Sequence, residues 1–310
     1  MNMNKESRIF IAGHRGLVGS AIVRELEKEG YKNLILKTHK ELDLTNQQEV
    51  KDFFLNEKPE FVFLAAAKVG GIMANKTHPV EFINSNILIQ TNVINNAYIN
   101  NVKRLLFLGS SCIYPRLSMQ PIKEEYLLSG ELEPTNKAYA VAKIAGIILC
   151  QSYNEEYGTK YISLMPTNLY GQNDNFDLES SHVLPALIRK FHEAKINNSP
   201  NVKLWGTGMA KREFLHVDDF AQASVFMMNN YEDSAIINIG TGIDITIKDL
   251  AEKIKKIVNY DGDIVWDSTK PDGTPRKLLD VSRAHRFGWT HRIKLEDGIE
   301  QTYKWFRENC

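Results

Sequence analysis

Residues 8–19 read Arg-Ile-Phe-Ile-Ala-Gly-His-Arg-Gly-Leu-Val-Gly, and this stretch decides the fold. It begins as an apolar run typical of a buried strand, continues through three spaced glycines and leads into helical spacing. A strand, a glycine-rich turn and a helix in this order are typical of a dinucleotide-binding unit, because free amides at the helix start face the pyrophosphate. Gly13 would permit the tight turn, Gly16 the approach of the pyrophosphate, and Gly19 close packing of helix on strand. The glycine triplet by itself also fits a plain tight turn.

Strand-like and helix-like segments alternate from this stretch to about residue 171. Strands are predicted at 8–12, 34–38, 61–67, 104–110 and 160–166, and helices at 19–29, 46–57, 78–100 and 138–157. This alternation predicts an α/β protein with a Rossmann-like, doubly wound parallel sheet covered on both faces.

The remainder of the chain is expected to form a smaller α/β C-terminal substrate lobe. Helices are predicted at 182–195, 216–229 and 246–258, and extended segments at 202–205, 236–239 and 263–265. We therefore divide the chain into a dinucleotide-binding domain at 1–171 and a mainly substrate-binding lobe at 172–310. A strand and a helix from about 214–242 are expected to return to the first domain.

The segment after the second predicted strand bears on which dinucleotide binds. An NAD enzyme usually places an acid there for the ribose hydroxyl. This chain has Lys37, His39 and Lys40 there, and Arg15 inside the glycine loop, so positive charge favours a ribose 2′-phosphate and predicts NADP. Glu41 is the competing detail, because a carboxylate that reached the ribose would favour NAD.

Tyr139 and Lys143 are the first candidates for catalysis. Four residues apart on a predicted helix, they lie on one face, where the lysine ammonium would favour the phenolate and lower the cost of moving its proton. A ketone that accepts hydride needs such a proton. The pair alone also fits a solvated helix face, and Ser110 upstream also fits an ordinary turn hydroxyl.

Composition narrows the class of protein. The 310 residues carry no formal net charge, which gives no indication of a nucleic-acid partner, and no apolar run is long enough to cross a membrane. The first residues are polar and lack the apolar core of a signal peptide. The three cysteines are odd in number and widely separated, which argues against disulfides or a bound metal and for the cytoplasm.

Taken in order, these motifs resemble those of the extended short-chain dehydrogenase/reductases that act on nucleotide sugars, and among them the GDP-L-fucose synthase family. The resemblance covers about residues 8–307. It rests on these strings: Ile11-Ala-Gly-His-Arg-Gly, Ala67-Lys-Val-Gly-Gly-Ile72, Leu108-Gly-Ser-Ser-Cys-Ile-Tyr-Pro115, Glu133-Pro-Thr-Asn136, Met165-Pro-Thr-Asn-Leu-Tyr-Gly171, Arg212-Glu-Phe-Leu-His-Val-Asp-Asp219 and Lys270-Pro-Asp-Gly-Thr-Pro-Arg-Lys277.

The resemblance implies conversion of GDP-4-keto-6-deoxy-D-mannose to GDP-L-fucose, by inversion at C3 and C5 and reduction of the C4 ketone with NADPH. Cys112 and His182 would be the base and acid of the inversion. Tyr139 would donate the proton to the C4 oxygen, Ser110 would orient that oxygen, and Lys143 would bind the nicotinamide ribose. Without the resemblance, Cys112 is more often a small buried hydrophobe and His182 a structural group.

The resemblance also implies the binding residues. The cofactor would be held by Gly13, Arg15, Gly16, Leu17, Val18, Gly19, Lys37, His39, Lys40, Ala65, Ala67, Leu108, Lys143, Pro166, Asn168, Leu169 and His182. The substrate would be held by Ser110, Asn168, Lys190, Trp205, Arg212 and Asp272. Alternatively, Trp205 would pack in the lobe core and Lys190 would be a solvated helix residue.

Two other functions stay open at this point. A C4-reductase of another GDP-4-keto sugar, such as a GDP-4-keto-heptose, would keep the fold and the cofactor. A non-catalytic NADP-sensing regulator would keep the fold and bind the cofactor without turning over a sugar. The resemblance further implies a homodimer formed through the helices predicted at 78–100 and 138–157.

Overall fold

The structure is a computed structural model that describes residues 2–270 and 272–310. Met1 of the predicted 1–171 domain and Pro271 of the 270–277 motif lie outside the described residues. The strands, in chain order, are β1 (Ile9–Ala12), β2 (Leu34–Ile35), β3 (Phe61–Leu64), β4 (Arg104–Leu108), β5 (Tyr161–Pro166), β6 (Asn168–Tyr170), β7 (Asn201–Trp205), β8 (Lys211–His216), β9 (Ile237–Ile239), β10 (Asp244–Thr246), β11 (Asp263–Asp267) and β12 (Arg276–Lys277).

The helices are α1 (Leu17–Lys28), α2 (Gln47–Glu57), α3 (Ile72–Thr77), α4 (Pro79–Ile99), α5 (Lys137–Tyr157), α6 (Val183–Ile196), α7 (Val217–Asn230), α8 (Ile247–Val258), α9 (Ser282–Arg286) and α10 (Leu295–Asn309). Capping side chains explain where some of them begin. Asn46 accepts a hydrogen bond from the Gln48 amide at 3.0 Å and starts α2, and Thr246 accepts from the Asp249 amide at 3.0 Å and starts α8. No described helix is both long and apolar enough to cross a bilayer.

The main sheet has six strands in the order β2-β1-β3-β4-β5-β9, and every neighbouring pair is parallel. The chain runs outward from β1 to β2 on one side and then crosses to β3 on the other. Ligands of such sheets bind beyond the carboxyl ends of the strands, at this reversal. The arrangement confirms the predicted Rossmann-like, doubly wound parallel sheet.

Both faces of the main sheet are covered, which is why β3 and β4 are buried along their whole length. One apolar core lies on the side of α1 and α7, which pack against each other. The other lies on the side of α2, α4 and α5. Although β9 and α7 follow residue 171, β9 pairs with β5 and α7 packs on α1.

A smaller lobe is organised around β8, which pairs with β6, β10 and β12. A separate parallel pair joins β7 to β11, and α6, α8 and α10 share a third apolar core that includes Phe191, Ile254 and Phe306. The sequence interpretation missed β8, because its polar residues, among them the fully buried Glu213, hide the apolar pattern of a strand.

Another difference concerns the second strand, predicted at 34–38. In the structure β2 ends at Ile35. The next residues form a local turn, in which the amide and hydroxyl of Thr38 donate to the Glu41 carboxylate at 2.8 and 2.6 Å. A short polar turn of this kind competes with strand pairing because it satisfies the backbone locally.

Candidate active site

Parallel strands bring the predicted site residues to one edge of the main sheet. Gly13 follows β1, Ala65 follows β3, Ser110 lies just beyond β4, and Asn168 follows β5. Because all these strands point the same way, their carboxyl ends meet. Motifs far apart in sequence therefore share one crevice.

The glycine loop forms a cradle that side chains would fill. Gly13 has a φ of +85°, and a Cβ there would lie 2.8 Å from the Ala66 Cα. A Cβ at Gly19 would lie 2.1 Å from the Gly13 carbonyl oxygen, so only glycine lets α1 start so close to the loop. Gly16 caps α1 without a side chain, which leaves the first amides of the helix open to an anion. This cradle fits the pyrophosphate of a dinucleotide.

Positive charge borders the loop where the adenosine ribose would lie. Arg15, His39 and Lys40 are exposed, and within residues 2–270 and 272–310 neither Arg15 nor Lys40 has a carboxylate partner. Lys37 forms an ion pair with Glu57 at 3.2 Å. Hydrogen bonds from Thr38 occupy Glu41 and lower the pKa of its carboxyl, so the competing acid is held in the local turn.

Ser110 and Tyr139 form the centre of the site. Ser110 follows β4 and caps a one-turn helix at Ser111–Ile113, where its Oγ accepts from the Cys112 amide at 3.2 Å. Tyr139 lies in the first turn of α5. Burial raises the pKa of the Tyr139 phenol, the adjacent Cys112 raises it further, and the hydrogen bond with Ser110 opposes the rise.

Lys143 lies one turn beyond Tyr139 and is 3% exposed. Its ammonium donates to the Leu108 carbonyl at 2.7 Å and is 5.8 Å from the centre of the Tyr139 ring. Burial lowers the pKa of Lys143 to about 7. The sequence interpretation expected this lysine to lower the pKa of Tyr139, but burial of the phenol dominates and raises it. Tyr139 is consequently protonated at neutral pH, the form that a proton donor needs.

Cys112 and His182 approach the crevice from different elements. The half-buried Cys112 lies two residues after Ser110, and its Sγ lies 3.6 Å from the Nζ of Lys277 on β12. His182 is the N-cap residue of α6. Neighbouring protein atoms displace water from the imidazole and lower the pKa of His182, and the charge of Lys277 lowers it further. Lys277 was not among the predicted site residues.

Arg212 and the half-buried Lys190 bring positive charge to the lobe side of the site. Arg212 lies on β8 opposite Lys277 on β12, and its Nη1 donates to the Lys211 carbonyl at 2.7 Å. Burial lowers the pKa of Lys190, which has no hydrogen-bond or ion-pair partner in the part of the chain that the structure describes. A half-buried lysine without a partner is well suited to receive an anionic ligand.

A surface loop joins the other two predicted substrate residues. Trp205 ends β7 and is 58% exposed, so it is not part of the lobe core. The Asp272 carboxylate accepts from the amide and hydroxyl of Thr207 at 2.6 and 2.7 Å, and so holds the turn that follows Trp205. Gly273 next to it lies against Arg212, where an added Cβ would be 3.5 Å from Nη2. Asp272 thus shapes the loop that connects Trp205 with Arg212.

A doubly wound sheet with a Ser-Tyr-Lys group at its carboxyl edge defines a class of enzymes, the short-chain dehydrogenase/reductases. A dinucleotide carries the hydride in this class, and the Ser-Tyr-Lys group handles the proton.

Comparisons with known proteins place the chain within this class. Residues 9–240 match the NAD dependent epimerase/dehydratase family. GDP-L-fucose synthase 1 of Arabidopsis thaliana is 59% identical over 306 residues, which cover 99% of this chain and 95% of the plant protein. GDP-L-fucose synthase of Escherichia coli strain K12 is 56% identical over 316 residues, covering 99% of this chain and 98% of the bacterial protein.

A solved structure extends the comparison. The GDP-mannoheptose C4 reductase of Campylobacter jejuni, determined with NADP bound, superposes with a TM-score of 0.92 at 45% identity, covering 99% of this chain and all of that one. The chain belongs to the NAD dependent epimerase/dehydratase family and, within it, to the GDP-L-fucose synthases. The resemblance drawn from the sequence motifs is thereby confirmed.

Proposed function

We propose that the protein converts GDP-4-keto-6-deoxy-D-mannose to GDP-L-fucose, inverting C3 and C5 and reducing C4 with NADPH. One observation carries the proposal: a thiol, Cys112, lies beside the Ser110–Tyr139–Lys143 group in a relative of two GDP-L-fucose synthases. The Ser-Tyr-Lys group alone accounts for a reduction. The thiol next to it supplies the base that an inversion at carbon needs.

NADPH supplies the hydride for C4. The glycine cradle and the open amides of α1 hold its pyrophosphate, and the cations after β2 favour its 2′-phosphate. Positions at the carboxyl edge border the rest of the cofactor. The proposed set is Gly13, Arg15, Gly16, Leu17, Val18, Gly19, Lys37, His39, Lys40, Ala65, Ala67, Leu108, Lys143, Pro166, Asn168, Leu169 and His182.

Tyr139 is the proton donor of the reduction. Its raised pKa keeps the phenol protonated until the C4 oxygen becomes an alkoxide, which is a much stronger base. Ser110 holds the same oxygen by its hydroxyl. Lys143 binds the nicotinamide ribose, and its pKa of about 7 lets it gain and lose a proton at neutral pH when Tyr139 must be reprotonated.

Cys112 and His182 exchange the sugar protons. The C4 ketone acidifies the C–H bonds on both neighbouring carbons, so a thiolate on one face of the ring can remove a proton and an acid on the other face can return one. The lowered pKa of His182 makes its imidazolium a stronger acid, which favours proton donation. The contact of Lys277 with Cys112 and the effect of its charge on His182 support a role for both groups on one sugar.

The GDP moiety is bound from the C-terminal lobe. Arg212 suits the diphosphate because its planar guanidinium binds phosphate oxygens in pairs. Lys190 adds a second cation, Asn168 contributes an amide, and Trp205 offers a flat exposed face. Asp272 keeps the Trp205 loop in shape.

A cytoplasmic homodimer is the form that we expect. The helices α4 and α5 pack side by side and leave apolar side chains exposed, namely Leu88, Ile99, Val141 and Ile148. A second copy would bury this face. Sedimentation equilibrium of the wild type and of an Ile148→Asp variant checks it: a monomeric wild type, or a variant that still dimerises, contradicts this interface.

The second candidate is a C4-reductase of a GDP-4-keto-heptose, and the Campylobacter relative at 45% identity is what favours it. The deciding experiment supplies GDP-4-keto-6-deoxy-D-mannose and NADPH in heavy water and locates deuterium in the product by NMR. Deuterium at C3 and C5 with a reduced C4 is expected. Reduction without deuterium supports the C4-reductase, and NADPH binding without turnover of any 4-keto sugar supports the NADP-sensing regulator.

A further inference from the structure

We propose that Lys277 is a positioning residue for the inversion step: its ammonium holds the Cys112 thiolate and sets the pH range over which the sugar protons exchange. The inference rests on the proposed function, because it gives Lys277 a role through Cys112 and His182. Its basis is a contact between residues 165 positions apart, in which the Lys277 Nζ lies 3.6 Å from the Cys112 Sγ.

The backbone that carries Lys277 is anchored on both sides. Lys277 pairs with Arg212 across β12 and β8. The next amide, of Leu278, donates to Gln120 at 2.8 Å, and the amide of Leu279 donates to the buried Glu213 at 2.9 Å. Because this segment is held by hydrogen bonds, Lys277 loses less conformational entropy on contacting a partner than a lysine on a mobile loop would.

Charges reach Cys112 from several elements, and their balance is positive. The charge of Arg212 on β8 interacts with Cys112, and Tyr139 on α5 interacts with Cys112 as well. The charge of Lys277 also acts on His182, at the start of α6. The cleft beside the thiol is also lined by Arg116, Glu133 and Arg276. Glu133 is paired with Arg116 at 3.2 Å, and Arg276 is paired with Asp244, so these groups largely cancel.

Lys277 acts on the proton transfers by its charge. As the C–H bond breaks, an S–H bond forms on Cys112 and the electron pair moves to the C4 oxygen; the enolate then takes a proton from His182 on the opposite face. A nearby cation favours the thiolate and disfavours the imidazolium. Exchange needs a deprotonated base and a protonated acid, so its pH profile is bell-shaped. Because one cation acts on both groups, its removal moves both limbs to higher pH.

The test measures deuterium exchange at C3 and C5 in heavy water with NADP⁺ in place of NADPH, so that no reduction follows. Lys277→Met is compared with Lys277→Arg, which keeps the charge, and with Lys211→Met, which removes an exposed charge from the adjacent strand. For Lys277→Met we expect both limbs of the pH profile to lie about one pH unit higher, with the height of the bell unchanged. Lys277→Arg restores the profile, and Lys211→Met leaves it unchanged.

If the exchange profile of Lys277→Met had a lower plateau but limbs at the same pH as the wild type, Lys277 would have a merely structural role and the proposal would be overturned. Wild-type enzyme that reduces without exchange would instead refute the proposed function, and a second readout keeps the two failures distinct. Alkylation of Cys112 by iodoacetamide, followed by peptide mass spectrometry across pH, needs no substrate. Its midpoint should rise in Lys277→Met, or in Lys277→Gln if the first variant does not fold. An unchanged midpoint refutes the contact between Lys277 and the thiolate.

Discussion

Replacing Glu213 by glutamine changes one buried carboxylate into an amide of nearly the same shape. Glu213 is 0% exposed, and its Oε1 accepts from the amides of Thr241 and Gly242 at 2.6 and 2.8 Å, while Oε2 accepts from the Leu279 amide at 2.9 Å. These bonds tie β8 both to the turn that follows β9 and to the segment that carries Lys277. The side chain therefore joins the main sheet to the C-terminal lobe.

The magnitude of the change follows from these bonds. The amide oxygen of glutamine can keep two of them, but each weakens by about 1 kcal/mol when the acceptor loses its charge. The NH₂ group then faces the Leu279 amide, and an unsatisfied buried donor costs about 1–3 kcal/mol. Burial raises the pKa of Glu213, so the neutral amide recovers part of this loss. We expect a net loss of about 2 kcal/mol, and a Tm lower by about 4 °C.

Differential scanning fluorimetry and steady-state kinetics measure these effects. Glu300→Gln, which alters an exposed carboxylate on α10, is the matched control and should leave the Tm unchanged. Because Glu213 holds the segment next to Arg212 and Lys277, KM for the GDP-sugar should rise while NADPH affinity stays near that of the wild type. A Glu213→Gln variant with the Tm and the KM of the wild type would refute the reasoning.

In Gly19→Ala, the added Cβ would lie 2.1 Å from the Gly13 oxygen, so α1 must shift. Fluorescence titration should then show an NADPH affinity at least about tenfold weaker than that of the wild type. An affinity equal to that of the wild type would contradict the role of the glycine loop in binding the cofactor. Tyr139→Phe keeps the ring contact with Phe82 but lacks the phenolic proton. NADPH oxidation should therefore slow about 10²–10⁴-fold, while deuterium exchange of the sugar persists. A rate of NADPH oxidation reduced by less than about tenfold excludes Tyr139 as the proton donor. Burial lowers the pKa of Lys143 to about 7 from an ordinary 10.5, so the charged lysine destabilises the fold at low pH and this penalty is relieved as pH rises. The Tm of the wild type relative to Lys143→Met should therefore rise between about pH 7 and 10.5, and a constant difference contradicts this.

Local patterns in the sequence were enough to predict most of the Rossmann-like sheet. The glycine loop, the apolar strands and the long helices are each specified by residues within about a turn or a few positions of one another. Tyr139 and Lys143 lie on one helix face for the same reason. The motifs also identified the family, because the strings from Ile11 to Lys277 occur in one order along nearly the whole chain.

Other features depend on residues that only folding brings together. The strand β8 could not be recognised, because the carboxylate of Glu213 is stabilised by amides from two distant segments rather than by its neighbours in sequence. The pKa of Tyr139 was expected to fall beside Lys143, but it rises because the phenol is buried, which sequence spacing does not reveal.

The sequence by itself thus determined most elements of the main sheet, the glycine loop and the family, since these rest on short-range periodicity, on the conformational freedom of glycine and on motifs in a fixed order. The tertiary structure alone decided which charges surround Cys112. Lys277 reaches the sulfur from 165 positions away, across the contact between β12 and β8, and electrostatic effects depend on distance and burial rather than on separation along the chain.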